Sequence, residues 1–161
     1  MRNLKLSALA LFLLFPRLAL AQDYGGLITE DYLRSTFVFA DTEQLKFSAC
    51  EEKSFPTCTY VWGGPHRQDA ARMAAGLSPD GAKLMTIFAQ APGPQAWPRV
   101  TGTYNDAEDV TGLGSVAVWS PKRNQLSLMT SSNLVIHVNL ERVEDAQAKA
   151  IEIAEHLLGQ L

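Results

Sequence analysis

The chain has 161 residues, 47% of them apolar and 19% charged, with a formal net charge of −3. That apolar fraction belongs to a globular protein and speaks against a disordered chain. The acidic balance, with no cluster of Lys or Arg, speaks against nucleic acid and anionic membrane surfaces as partners.

Residues 1–21 read as a cleavable secretory signal peptide. Arg2 and Lys5 form a positive start, an uncharged and mostly apolar run follows from Leu6 to Phe15, and Ala19-Leu20-Ala21 is a small-x-small cleavage site. The run is about half the ~20 residues a membrane span needs, and Arg17 follows it. No Cys follows the cleavage site, so no lipid anchor is expected. Residues 22–161 then form a single domain, periplasmic or secreted. Lys+Arg falls from 14 by three on cleavage while all 17 Asp+Glu remain, a net charge of about −6. Cys50 and Cys58, the only cysteines, are expected to pair as a disulfide in an oxidising compartment. Two thiols without a neighbouring His fall short of a zinc site.

In chain order, Thr29 is placed to cap a helix from Glu30 to about Ser35, with Glu30 and Asp31 in its first turn. Ile28 and Leu33 stand where a hydrophobic staple would close over that end. Leu45–Ala49 alternates and Thr59–Trp62 is β-prone, a hairpin stapled by Cys50–Cys58. Asp69–Ala75 is helix-prone with Gly76 as its stop, and Ser78–Gly81 is a turn. Lys83–Ala89 carries apolar residues on both faces and reads as an inner strand. Gln90–Gly114, with Pro92, Pro94 and Pro98, reads as a long loop of the kind that carries function. Ser115–Trp119, Gln125–Thr130 and Asn133–Leu140 form a three-strand antiparallel meander. In the last strand Leu134, Ile136, Val138 and Leu140 share one face, and His137 and Asn139 the other. A closing helix from about Val143 to Leu158 bears an apolar stripe of Val143, Ala146, Ala150, Ile151, Ala154, Leu157, Leu158 and Leu161, with Asp145–Lys149 as an i,i+4 charge pair. The fold class is α+β: a mainly antiparallel sheet of about six strands with flanking helices.

No catalytic motif stands out. In Thr111-Gly112-Leu113-Gly114 the glycines precede a strand and lack the third glycine of a dinucleotide fingerprint, so they read as a turn. Asn105–Asp109 is a carboxylate cluster without EF-hand spacing, so it reads as a solvated acidic turn and no metal is expected. His66, His137 and His156 do not cluster in sequence, and structural or surface roles are expected for them. Trp119 is a core candidate. Trp97, beside Pro98 and Arg99 on the long loop, has two readings: a binding anchor, or a ring packed back over the sheet edge. Trp97, Arg99 and Tyr104 are the candidate binding residues.

Val110–Gly114, Ala117-Val118-Trp119, Gln125–Leu128, Val135–Val138 and the Ala146–Leu158 segment, with Cys58–Trp62, resemble a family of small exported cell-envelope proteins of unknown function. The members are mostly actinobacterial lipoproteins. The resemblance covers about two-thirds of the exported part and rests on turn glycines and apolar alternation. It implies an antiparallel sheet flanked by helices, broadly like PsbP-type domains, with no cofactor and no catalytic residues to carry over. The sequence therefore suggests an exported, non-enzymatic domain that binds an envelope protein or a small ligand. Two alternatives remain: an inhibitor of a basic enzyme such as lysozyme, for which the acidic charge suits, and a small hydrolase that folding would have to assemble around one of the histidines.

Overall fold

A computed structural model of the chain describes residues 23–37, 45–51, 55–63, 75 and 81–161. The expected signal peptide lies outside the described residues. So does the expected Asp69–Ala75 helix, except for Ala75, which sits in a turn.

Helix α1, Glu30–Phe37, starts as its chemistry requires: the Tyr32 N–H donates to Thr29 Oγ1 at 3.2 Å. Glu30 and Arg34, one turn apart, pair at 2.7 Å on the outer face. Ile28 and Leu33 are both buried and anchor the helix to the core.

Seven strands follow among the described residues: β1 Leu45–Glu51, β2 Thr57–Trp62, β3 Ala82–Gln90, β4 Glu108–Asp109, β5 Val116–Ser120, β6 Gln125–Met129 and β7 Leu134–Glu141. They form one sheet in the order β1-β2-β3-β7-β6-β5-β4, every neighbouring pair antiparallel. Cys50 and Cys58 face each other across β1 and β2 and are joined by the disulfide. β3 lies inside the sheet, between β2 and β7. The strand beyond the expected six is β4, whose two acidic residues show no apolar alternation that would reveal it. It belongs to the long segment after β3, which is not a plain loop. That segment also holds a 3-10 turn, Pro94–Ala96, and a short helix α2, Trp97–Thr101. Pro94 and Pro98 fall in first-turn positions, where a missing N–H costs nothing.

Helix α3, Ala146–Leu158, packs across β6 and β7. It begins three residues later than Val143. The chain leaves β7 through left-handed Arg142 (φ 57) and Asp145 (φ 52), a sharp turn that helical geometry at Val143 would prevent. Asp145 consequently acts through its main chain, its carbonyl accepting the Lys149 N–H at 3.0 Å. The Lys149 ammonium pairs instead with Glu152 at 2.9 Å. Ala150, Ile153, Ala154 and Leu157 are fully buried. Ile153 joins the stripe, and Leu161, beyond the helix end, is left 42% exposed.

The core lies between the helices and one sheet face. On that face Leu84 and Phe88 of β3, Leu126 and Leu128 of β6, and the four even-numbered apolar residues of β7 are buried, with Trp119 beside them. The N-terminal segment is tied to the end of α3: Gln160 Nε2 donates to the Leu27 carbonyl at 3.2 Å, His156 Nε2 lies 3.0 Å from it, and Tyr32 stacks on the His156 ring at 3.6 Å. Among the described residues no helix is long and apolar enough to cross a membrane.

Candidate functional site

Because side chains alternate along a strand, the opposite sheet face is built from Ile87 and Ala89 of β3, Val135 and His137 of β7, and Gln125 and Ser127 of β6. Among the described residues no long helix covers it. The segment after β3 crosses it instead, and the two enclose a groove of about 530 Å³, within the ~300–1,000 Å³ common for ligand sites. Ile87, Ala89 and Val135 form its apolar floor, Pro92, Ala96 and Val100 one wall, and Phe55, 59% exposed, its opposite lip.

The other end of the groove is polar and tightly connected. Ser127 stands directly across from His137 in the β6–β7 register, with Oγ 2.8 Å from Nδ1. Tyr104 Oη lies 3.2 Å from Ser127 Oγ. Gln125 Nε2 donates to Tyr104 Oη at 2.5 Å, and it also lies 3.2 Å from both Ser127 Oγ and His137 Nδ1. One proton arrangement is consistent with these contacts: Gln125 donates one N–H to Tyr104 and shares the other between Ser127 Oγ and His137 Nδ1, Tyr104 donates to Ser127, and Ser127 to His137 Nδ1. His137 then carries its proton on Nε2, and Nδ1 is an acceptor facing two donors. Burial pushes the imidazole down to about 4, so it is neutral at physiological pH.

Arg123 closes this end. Its guanidinium lies over the Tyr104 ring, 4.7 Å from the centroid, and Nη2 donates to the Thr103 carbonyl at 3.1 Å. Arg123 is placed by the 3-10 turn Pro121–Arg123, which Asp106 clamps. The Asp106 carboxylate accepts from the Lys122 N–H at 2.7 Å and from Ser120 Oγ at 2.9 Å. The Lys122 N–H leads in holding that carboxyl below its usual range. The Asn105–Asp109 cluster, expected as a solvated acidic turn, thus supplies a structural clamp and strand β4. Among the described residues no group of three or more His, Cys, Asp or Glu is placed to hold a metal ion.

The candidate residues from the sequence separate in space. Arg99 and Tyr104 line the groove. Trp97 does not. It is half-buried in a recess formed with Asp109–Val118, against the β4–β5 edge of the sheet. Gly112 and Gly114 shape that recess as a turn, with φ 85 and 55; a Cβ on Gly114 would come within 2.6 Å of the Met129 carbonyl oxygen. His156 is part of the tie to Leu27, and His66 lies outside the described residues. Gln125, Ser127 and Arg123 were not singled out from the sequence. Residues 127 and 137 are equidistant from Ser132, so a three-residue loop, Ser131–Asn133, between Thr130 and Leu134 sets Ser127 opposite His137, whereas a two-residue Ser131-Ser132 turn would have set Ser127 opposite Ile136.

A serine 2.8 Å from a histidine invites comparison with a hydrolase. Ser127, however, is fully buried, and no carboxylate among the described residues bonds His137. The pair lacks both the exposed nucleophile and the orienting acid of a triad. A second depression of similar size, about 510 Å³, lies where α3 starts near Trp119 and Pro121, but it has no comparable network of convergent polar groups. Compared with known proteins, the chain matches no protein-family model, no curated protein and no solved structure.

Proposed function

We propose that this chain is an exported, non-enzymatic binding domain that takes a small ligand in the groove between the β3–β7–β6 face and the Pro92–Tyr104 segment. The observation that carries the reading is the groove's division of labour: an apolar floor at one end and a satisfied polar network at the other. An apolar surface with a few fixed hydrogen-bonding groups is how small-molecule sites combine affinity with orientation. The envelope setting rests on the signal-like residues 1–21, the resemblance to exported envelope proteins, and the Cys50–Cys58 disulfide, which suits an oxidising compartment.

The test is a titration with the neutral dye Nile red, followed by fluorescence. Native protein should bind it saturably. Ala89→Phe, which adds a ring to the groove floor, should abolish binding while near-UV circular dichroism shows the fold intact. No saturable binding, or binding that Ala89→Phe leaves unchanged, refutes the reading.

A further inference from the structure

Resting on that reading, we infer that the groove's ligand is an amphiphilic monocarboxylate, with its anionic head at Arg99 and Arg123 and its apolar body along Ile87, Ala89 and Val135. The first argument is charge. The chain as a whole is acidic, with a net charge of −3, yet the residues lining this groove include two arginines and no aspartate or glutamate. A positive pocket in a negative molecule rejects cations and draws anions.

The second argument is geometric. Arg123 is held rather than free to wave: its guanidinium is fixed over the Tyr104 ring, and one nitrogen is spent on Thr103. Its remaining N–H donors keep the planar fork that matches a carboxylate. Arg99 is exposed on α2, four residues before the Thr103 that anchors Arg123, and lines the same groove. No ion pair with a described acidic residue occupies either guanidinium. His137, neutral and with Nδ1 already engaged, adds hydrogen bonding but no charge to the polar end. The third argument is the floor, whose three aliphatic side chains suit a hydrocarbon body and offer nothing to a second polar group.

The experiment compares octanoate, 1-octanol and octylammonium as competitors of Nile red, with the methyl resonances of Ala89, Val100 and Val135 as a direct readout. Octanoate is expected to bind about tenfold or more tightly than 1-octanol, and octylammonium weakest, as one charge-assisted contact would give. Arg99→Gln and Arg123→Gln should each remove most of that preference without affecting 1-octanol. Because Arg123→Gln also loses the Thr103 contact, Arg99→Gln, which disturbs no described hydrogen bond, keeps the test decisive. Equal binding of all three compounds overturns the inference but leaves the binding-groove reading standing. A preference for octanoate that survives both substitutions overturns the placement of the head group. Failure of every probe, Nile red included, overturns both.

Discussion

Lowering the pH from 8 to 4 should destabilise this protein through His137. Burial holds the imidazole at about 4 in the fold against 6.5 in its ordinary state. Between those values the unfolded chain takes up a proton that the native protein refuses. The stabilising difference is therefore complete above pH 6.5 and is lost as the pH falls. The gap corresponds to about 3 kcal/mol once both states are protonated, of which roughly 2 kcal/mol is gone by pH 5. The physical cause is burial, which penalises the charged ring. Urea unfolding, followed by tryptophan fluorescence from pH 8 to 4, gives the free-energy profile. His137→Gln cannot titrate, so the wild-type curve should fall away from the variant's by those amounts. The Cε1–H resonance of His137 reports the same protonation directly. A midpoint near 6.5 in the folded protein, or parallel pH profiles for the two proteins, would refute the argument.

Two further outcomes follow from the core. Thr86 Oγ1 is buried with no hydrogen-bond partner, so Thr86→Val should be neutral or stabilising by up to about 1 kcal/mol; a loss beyond that in urea unfolding would show the hydroxyl to be satisfied. Ile153→Ala, at a fully buried position, should cost about 2–5 kcal/mol. Leu161→Ala, past the helix end and 42% exposed, should stay within about 0.5 kcal/mol, and comparable losses at both sites would mean α3 packs in a different phase.

The local signals in this chain were strong where a single residue does a local job. Thr29 caps α1 because a hydroxyl at that position reaches the N–H three residues on, whatever the rest of the chain does. The β7 alternation places Leu134, Ile136, Val138 and Leu140 in the core because strand side chains have a fixed period of two. The disulfide pair and the α+β class were legible for the same reason: spacing and periodicity are properties of the chain itself.

What the sequence could not set is how distant segments meet. The acidic pair Glu108–Asp109 becomes a strand only because β5 offers an edge, and Asp106 becomes a clamp only because the Pro121–Arg123 turn comes within 2.7 Å of it. Trp97 and Arg99, neighbours on a short helix, are divided between a recess at the sheet edge and the groove because the segment crosses the sheet and presents different sides to each. The groove itself is of this kind. Tyr104, Arg123, Gln125 and His137 come from three separate parts of the chain, and no spacing in sequence encodes their convergence. By itself the sequence determined α1, the six strands that have their own alternation or β-propensity, the core face of β7 and the covalent staple, which are local properties. The tertiary structure alone decided the polar network and the cationic end of the groove, because hydrogen bonds and charge in a site depend on which backbones pack together.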